Sequence, residues 1–271
     1  MSEIRRVLCH SNPHKEESTA AGVSVEGALR DAGFEICRDL SEDPDVLILL
    51  GGDGFLMETL RLFDYPKVPV FGVNFGTVGF LMNRASCADR LVTILREDEL
   101  TRTEHRLLHA NVSIENGDVV DCLAFNEFVL ERQTGQTVRL EISVDGTVFN
   151  RFAGDGLIVS TPSGSTAYNL AAGGPAVHPD VPGILLTPLY PHQARPFHSV
   201  QFSLVLPTDS VVEIVPEDLP KRNVRLVADG QPVRDVTSVK IQDSGRVVRL
   251  LRTADLHFTR LLTEKFVGGN D

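Results

Sequence analysis

The stretch Val46–Phe63, VLILLGGDGFLMETLRLF, joins five consecutive apolar residues to a glycine cluster and then to helix-forming residues. An uninterrupted apolar run of this kind predicts a strand buried on both faces of a parallel sheet, because a strand with one wet face would alternate. Gly51-Gly52-Asp53-Gly54 closes the strand, and Phe55 to Phe63 continues as a helix. Working outward, Arg5 to His10 reads as a short strand, Lys15 to Ala32 as a helix stopped by Gly33, and Phe34 to Cys37 as a returning strand. On the other side, Val68 to Val73 is another buried strand and Ser86 to Arg96 the helix that follows it. Alternating strand and helix predicts a doubly wound α/β domain.

After about residue 103 the period changes from helix-like to alternating. His105 to Ile114 alternates, Asn116-Gly117 is a hairpin turn, and Val119 to Leu130 continues as one strand. Asp145-Gly146, Asp229-Gly230 and Ser244-Gly245 punctuate later strand pairs in the same manner. Ala254 to Phe266 returns to helical spacing. The expected organisation is an N-terminal Rossmann-like α/β domain over residues 1–102, completed by a C-terminal helix within 254–271, and a β-sandwich-like domain over 103–253, meeting over a common site.

The chain has 271 residues, 42% of them hydrophobic and 23% charged, enough to bury a substantial core. There is no apolar window long enough to span a membrane, and Glu3, Arg5, Arg6, Lys15 and Glu16 interrupt any leader-like segment, so a soluble cytoplasmic protein is expected. A net charge of −11 argues against a general nucleic-acid or anionic-membrane binder while leaving small phosphorylated ligands open. Cys9, Cys37, Cys87 and Cys122 lack any ligand spacing and read as reduced thiols. His105 and His109 stand four apart, but on a strand that spacing separates them, so no metal site is expected there.

A glycine turn between a buried strand and a helix presents unpaired backbone N–H groups at the positive end of the helix, which suits a phosphate. Asp53 would repel that phosphate unless it took a proton or held a metal, and kinases use such a carboxylate to orient the attacking hydroxyl. No GxxxxGK[ST] loop and no GxGxxG fingerprint occurs, and Lys15, Lys67, Lys221, Lys240 and Lys265 all lie outside the glycine motifs. Arginine, backbone amides and a metal would then carry the phosphate charge. A second stretch, Gly154–Pro179, GDGLIVSTPSGSTAYNLAAGGPAVHP, runs a strand at Leu157–Ser160 into small hydroxyl residues and Tyr168, whose ring could flank a base or nicotinamide. Each motif alone is compatible with ordinary turn packing.

Together, GGDG at 51–54, NFGTVGFL at 74–81, Asn126-Glu127, the stretch above, Pro191-His192 and Asp229-Gly230-Gln231 occur in the order of the bacterial NAD kinase family, which this chain resembles along most of its length. The resemblance implies transfer of the γ-phosphate of ATP to the 2′-hydroxyl of the adenosine ribose of NAD, with Mg2+ or another divalent cation accompanying ATP. It implies that Asp53 accepts the proton, that Gly51, Gly52 and Gly54 lie along the phosphates, and that Asn126 and Glu127 hold the adenosine portion. It places Phe80, Ala153, Asp155, Ser163, Thr166, Ala167, Tyr168, Asn169, Leu170, Ala171 and, less directly, Gln231 around the dinucleotide. A homodimer or homotetramer is implied, with the Pro-rich run 184–196 as a contact surface. Phe55 stands where the family often has Thr, and Ala153 where some members carry a charge, which leaves NAD against NADH open. ATP against polyphosphate is open too. Rival readings are a lipid or sugar kinase sharing the GGDG loop, and a non-catalytic NADP-binding sensor.

Overall fold

The structure is a computed structural model that describes residues 4–77, 79–97, 100–193, 198–254 and 256–268. Val78 of the NFGTVGFL string, residues 194–196 of the Pro-rich run, and 255 and 269–271 of the expected C-terminal helix lie outside them. The chain divides into two compact units, residues 1–104 with 247–271, and residues 105–246.

The first unit starts with β1 (Arg6–Ser11), α1 (Glu16–Asp31), β2 (Glu35–Cys37), β3 (Val46–Gly51), α2 (Asp53–Leu62), β4 (Val70–Asn74), β5 (Asn83–Arg84) and α3 (Leu91–Glu97). Every residue of β3 is buried, the burial that its unbroken apolar run demands. β1 pairs in parallel with β2 and β3, and β3 with β4, giving the order β2-β1-β3-β4. Strand order therefore reverses between β1 and β3, and the crevice beyond their carboxyl ends is where open α/β sheets bind ligands. Val25 and Leu29 of α1 pack with Ile48 and Leu50 of β3 and with Leu91, Ile94 and Leu95 of α3 in one apolar cluster. Gly33 ends α1 at φ +89°, with its N–H on Arg30 and the Phe34 N–H on Leu29, a Schellman stop. The single helix expected over Ser86 to Arg96 is instead a 3₁₀ turn at Ala85–Cys87 followed by α3. Successive i to i−3 bonds, Arg90 to Cys87 and Leu91 to Ala88, tighten the segment between them.

β6 (Leu100–Ile114) crosses from the first unit into the second, which continues with β7 (Val119–Ala124), β8 (Glu127–Arg132), β9 (Val138–Val144), β10 (Thr147–Gly154) and β11 (Gly156–Ser160). A 3₁₀ turn at Ser163–Thr166 leads to the one-turn helix α4 (Tyr168–Ala171), and β12 (Ile184–Leu189), β13 (Leu204–Leu206), β14 (Val212–Pro216), β15 (Val224–Ala228) and β16 (Gln231–Val233) follow. The chain returns to the first unit along β17 (Val236–Thr253) and ends in α5 (Phe258–Leu262) with a π turn over Thr263–Val267.

Six antiparallel strands form one sheet of the second unit in the order β13-β12-β11-β8-β15-β16. A second layer runs β10-β9-β14 onto the first part of β17, with the β6–β7 hairpin beside it. Phe128, Leu130, Leu157 and Leu226 of one layer pack with Leu140, Ile142, Ile214 and Ile241 of the other in a single core. This is the sandwich-like arrangement expected from alternation.

Two sequence expectations fail here. Val119 to Leu130 is not one strand: it breaks at Phe125-Asn126, and β7 pairs with β6 while β8 pairs with β11 and β15. At the break the carboxylate of Asp229, far off in sequence, takes the N–H groups. Ser244-Gly245 is not a hairpin turn. β17 runs through it, with Gly245 at φ +69° and its N–H on the Asp243 carboxylate, so the glycine serves a local kink rather than a reversal.

Candidate functional site

In the first unit the site begins at the carboxyl end of β3. Gly52 caps α2 in extended conformation and Asp53 is its first helical residue. The Asp53 carboxylate turns away from its own helix and accepts the Phe80 N–H at 2.7 Å and the Leu81 N–H at 3.4 Å. Gly79 makes this possible, since a Cβ there would stand 2.3 Å from Asp53 Oδ1. Burial raises the Asp53 carboxyl above the ordinary value, and the two N–H bonds together with Lys265 and Arg252 pull it partly back. A carboxylate held in this way is fixed in direction by the 80–81 backbone and does not serve as a cap of its own helix.

The neighbouring glycines differ among themselves. A Cβ on Gly51 would lie 2.5 Å from the Phe55 ring, which itself stacks on His10 at 5.3 Å, so Gly51 is closed over by packing. Among the described residues a Cβ on Gly54 would meet nothing within 4 Å and one on Gly52 would meet Asn74 Oδ1 at 3.5 Å, and Gly54 is exposed and Gly52 half-buried, so both backbones stay open. Asn74 folds the next loop by accepting from the Gly76 N–H and donating to the Thr77 carbonyl. The Lys15 ammonium lies 3.1 Å from where a Gly76 Cβ would be. The Phe80 ring is buried, stacked on Phe266 at 5.7 Å with Lys265 over its face at 4.8 Å, while its carbonyl accepts from Arg252.

In the second unit the residues 125–127 and 160–168 are interlocked. Thr161 Oγ1 donates to the Phe125 carbonyl at 2.7 Å and accepts the Gly164 N–H at 3.0 Å, while the Asn126 carbonyl takes the Thr161 N–H and the Ser160 hydroxyl. Ser163 Oγ lies 2.7 Å from His105 Nδ1, and that ring stacks on Phe125. Ser165 ties the turn to both backbone groups of Val177. Asn169 is buried, donating to the Ser165 and Pro175 carbonyls and accepting from Thr187, so it braces the loop that Gly174 closes. Thr166 and Ala167 are half-buried, Tyr168 and Ala171 are exposed, and Leu170 lies half-buried beneath them.

Tyr168 lines three adjoining cavities. One, of about 270 Å³, is bounded by Glu127, Glu131, Arg225 and Gly230. The next, of about 310 Å³, includes Asp155, Arg132 and Tyr190, and there Asp155 pairs with Arg132 at 3.0 Å. The third, an open groove of about 820 Å³, runs past Ala171, Tyr190 and Phe202. Among the described residues Glu127 Oε2 is buried with no hydrogen-bond partner, and burial, with Asp229 beside it, pushes this carboxyl up to about 8. An orphaned acid lining a cavity beside an aromatic ring suits a polar, hydroxyl-rich ligand. Ala153 lies on β10 with its backbone taken up by Ser199 and His192, and Gln231 is exposed beyond the β15–β16 turn.

Residues 5–98 match the ATP-NAD kinase N-terminal domain and residues 125–252 the ATP-NAD kinase C-terminal domain. The chain belongs to the NAD kinase family. It is 39% identical over 226 residues to the NAD kinase of Rhizobium meliloti, covering 82% of this chain and 85% of that one. It is 34% identical over 258 residues to the NAD kinase of Aromatoleum aromaticum, covering 92% and 82%. Among solved structures, a yeast NADH kinase complexed with NADH superposes with TM-score 0.84 at 21% identity, covering 100% of this chain and 90% of that one. An Archaeoglobus fulgidus NAD kinase in complex with ATP gives 0.73 at 24% identity, covering 98% and 99%. These two likenesses are of fold.

Three residues of this NAD kinase family member escape a reading of its motifs. Lys15 sits outside every glycine string and reaches Gly76 because β1 and β4 both end at the carboxyl edge of a parallel sheet. His105, which its spacing offers only as a metal ligand, instead touches Ser163, while His109 pairs with Asp121 at 2.9 Å. Asp229 reads as half of an Asp-Gly turn, and its carboxylate gives no local sign of the backbone it binds about a hundred residues away.

Proposed function

We infer that this chain is an ATP-dependent NAD kinase that forms NADP. Family membership over both halves of the chain supports the reaction, and the observation that carries the chemistry is Asp53, its carboxylate fixed by the Phe80 and Leu81 N–H groups at the carboxyl end of β3. The ribose 2′-oxygen attacks the γ-phosphorus, the bond to the bridging oxygen breaks to release ADP, and Asp53 takes or orients the hydroxyl proton. Its raised pKa improves the carboxylate as a base. The open backbones of Gly52 and Gly54 and the Lys15 ammonium would meet the phosphates of ATP. Asn126, Glu127 and the Ser163 to Ala171 surface, with Tyr168 at its centre, would hold NAD.

Among the described residues no group of three or more His, Cys, Asp or Glu gathers to cage a metal, so Mg2+ would enter with ATP as part of that substrate. No helix among them is long and apolar enough to cross a membrane. The groove past Tyr190 and Phe202 accords with contact between copies in a homodimer or homotetramer.

The test is direct. Purified protein with MgATP should convert NAD to NADP, with NADH and polyphosphate run alongside to fix acceptor and donor. Phosphorylation of diacylglycerol or fructose 6-phosphate with no NADP formed would overturn the reading in favour of a lipid or sugar kinase. Binding of NADP with no turnover of any acceptor would leave a sensor.

A further inference from the structure

The break between β7 and β8 leaves three successive backbone N–H groups between two different sheets. Buried N–H groups need acceptors. The Asp229 carboxylate supplies all three: Oδ2 takes Phe125 at 2.6 Å, and Oδ1 takes Asn126 at 2.9 Å and Glu127 at 3.2 Å. The Asp229 N–H returns a bond to the Glu127 carbonyl at 3.2 Å.

Asp229 and Gly230, at φ 43° and 85°, form the two-residue turn that joins β15 to β16, with Ala228 paired to Gln231. That turn by itself accepts Asn as readily as Asp, since both tolerate the left-handed region. The load of three N–H groups does not, because only a carboxylate offers two charged acceptor oxygens. An amide at this position must turn its NH₂ against at least one of the three donors. The carboxylate is also kept where it opposes ionisation of the neighbouring Glu127. Turn chemistry gives no reason for such an arrangement.

We propose that Asp229 is a positioning residue for the dinucleotide surface, its carboxylate fixing the crossover backbone from which Asn126 and Glu127 reach the adenosine portion of NAD. The proposal rests on the NAD kinase reading. Asp145-Gly146 provides an internal control. It is the same kind of turn, at φ 51° and 75°, between β9 and β10, and among the described residues its carboxylate holds the Val211 N–H and the Ser210 hydroxyl.

The experiment compares Asp229→Asn and Asp145→Asn with the wild type. Asp229→Asn should raise KM for NAD about tenfold, the size of a lost charge-assisted hydrogen bond, with KM for ATP unchanged. The titration linked to Glu127 in the pH profile of kcat/KM should also move to lower pH once the like charge is gone. Asp145→Asn should leave both KM values as they are. A KM for NAD within twofold of wild type, or equal rises for NAD and ATP, would overturn the proposal. Should Asp229→Asn fail to fold, amide hydrogen exchange on the wild type decides: the 125–127 N–H groups should exchange as slowly as those within β8, and fast exchange would refute the bracing. If the wild type itself makes no NADP, the functional reading fails first, and the exchange measurement still tests the brace.

Discussion

At the scale of single residues, Asp53 and Gly79 form one device. The carboxylate occupies the space a side chain at position 79 would take, so the glycine in NFGTVGFL serves an aspartate 26 positions earlier. Asp53→Asn keeps the size and one acceptor for the Phe80 N–H while removing the base. Turnover should fall about 10²- to 10⁴-fold, the usual contribution of a general base, while NAD affinity measured by calorimetry changes little. Near-normal turnover with normal binding would remove Asp53 from the chemistry. Loss of binding and fold together would reduce it to a residue that shapes the turn.

At the scale of elements, glycines separate positions that carry packing from positions that do not. A Cβ on Gly164 would stand 2.2 Å from the Asn126 carbonyl oxygen, backbone against backbone with no flexible chain to yield. Gly27 lies inside α1, where an added Cβ would meet nothing within 4 Å among the described residues beyond its own helix. Gly164→Ala should therefore destabilise the protein by about 1–3 kcal/mol or more and weaken NAD binding, whereas Gly27→Ala should stabilise it by about 0.5–1 kcal/mol. Denaturant melts of the two variants check both signs, and a neutral Gly164→Ala would dissolve the interlock between 125–127 and 160–164. The same contrast explains what could be read in the sequence. β3 and α1 were legible because burial and the Gly33 stop are written locally, in an apolar run and a left-handed glycine. The division of Val119 to Leu130 into β7 and β8 was not, because the N–H groups at the break are met by the distant carboxylate of Asp229. Ser244-Gly245 misled for the opposite reason: the dipeptide signals a turn, but pairing along β17 overrides it. For the candidate site, the residue types were legible while their tasks were not. Asn169 and Ser165 carry the right polarity, yet their side chains hold the loop together.

At the scale of the whole molecule, buried acids tilt stability against alkaline pH. Glu127 has an ordinary value of 4.5 and is pushed up to about 8 in the fold. The folded state thus holds this proton more tightly than the unfolded chain does. Its contribution is fully present below about 4.5 and is lost progressively as pH rises to about 8, after which the fold carries an ionised, unpartnered carboxylate. Asp53, also raised, acts in the same direction. Glu264, lowered by its hydrogen bonds to Arg84 and Arg260, acts oppositely and gives up its contribution on acidification. The two tendencies oppose each other, one removing a contribution as pH rises and the other as it falls. Glu127→Gln keeps the volume and cannot ionise, so it isolates the first tendency. The wild-type melting temperature should drop between pH 5 and pH 8.5 by more than that of Glu127→Gln, the gap amounting to a few kcal/mol in unfolding free energy. The variant should match the wild type at pH 5 and exceed it at pH 8.5. Equal losses over that interval would mean that Glu127 is ionised in the fold at neutral pH, and with it would go the picture of a neutral acid kept in the cavity beside Tyr168 for a polar ligand.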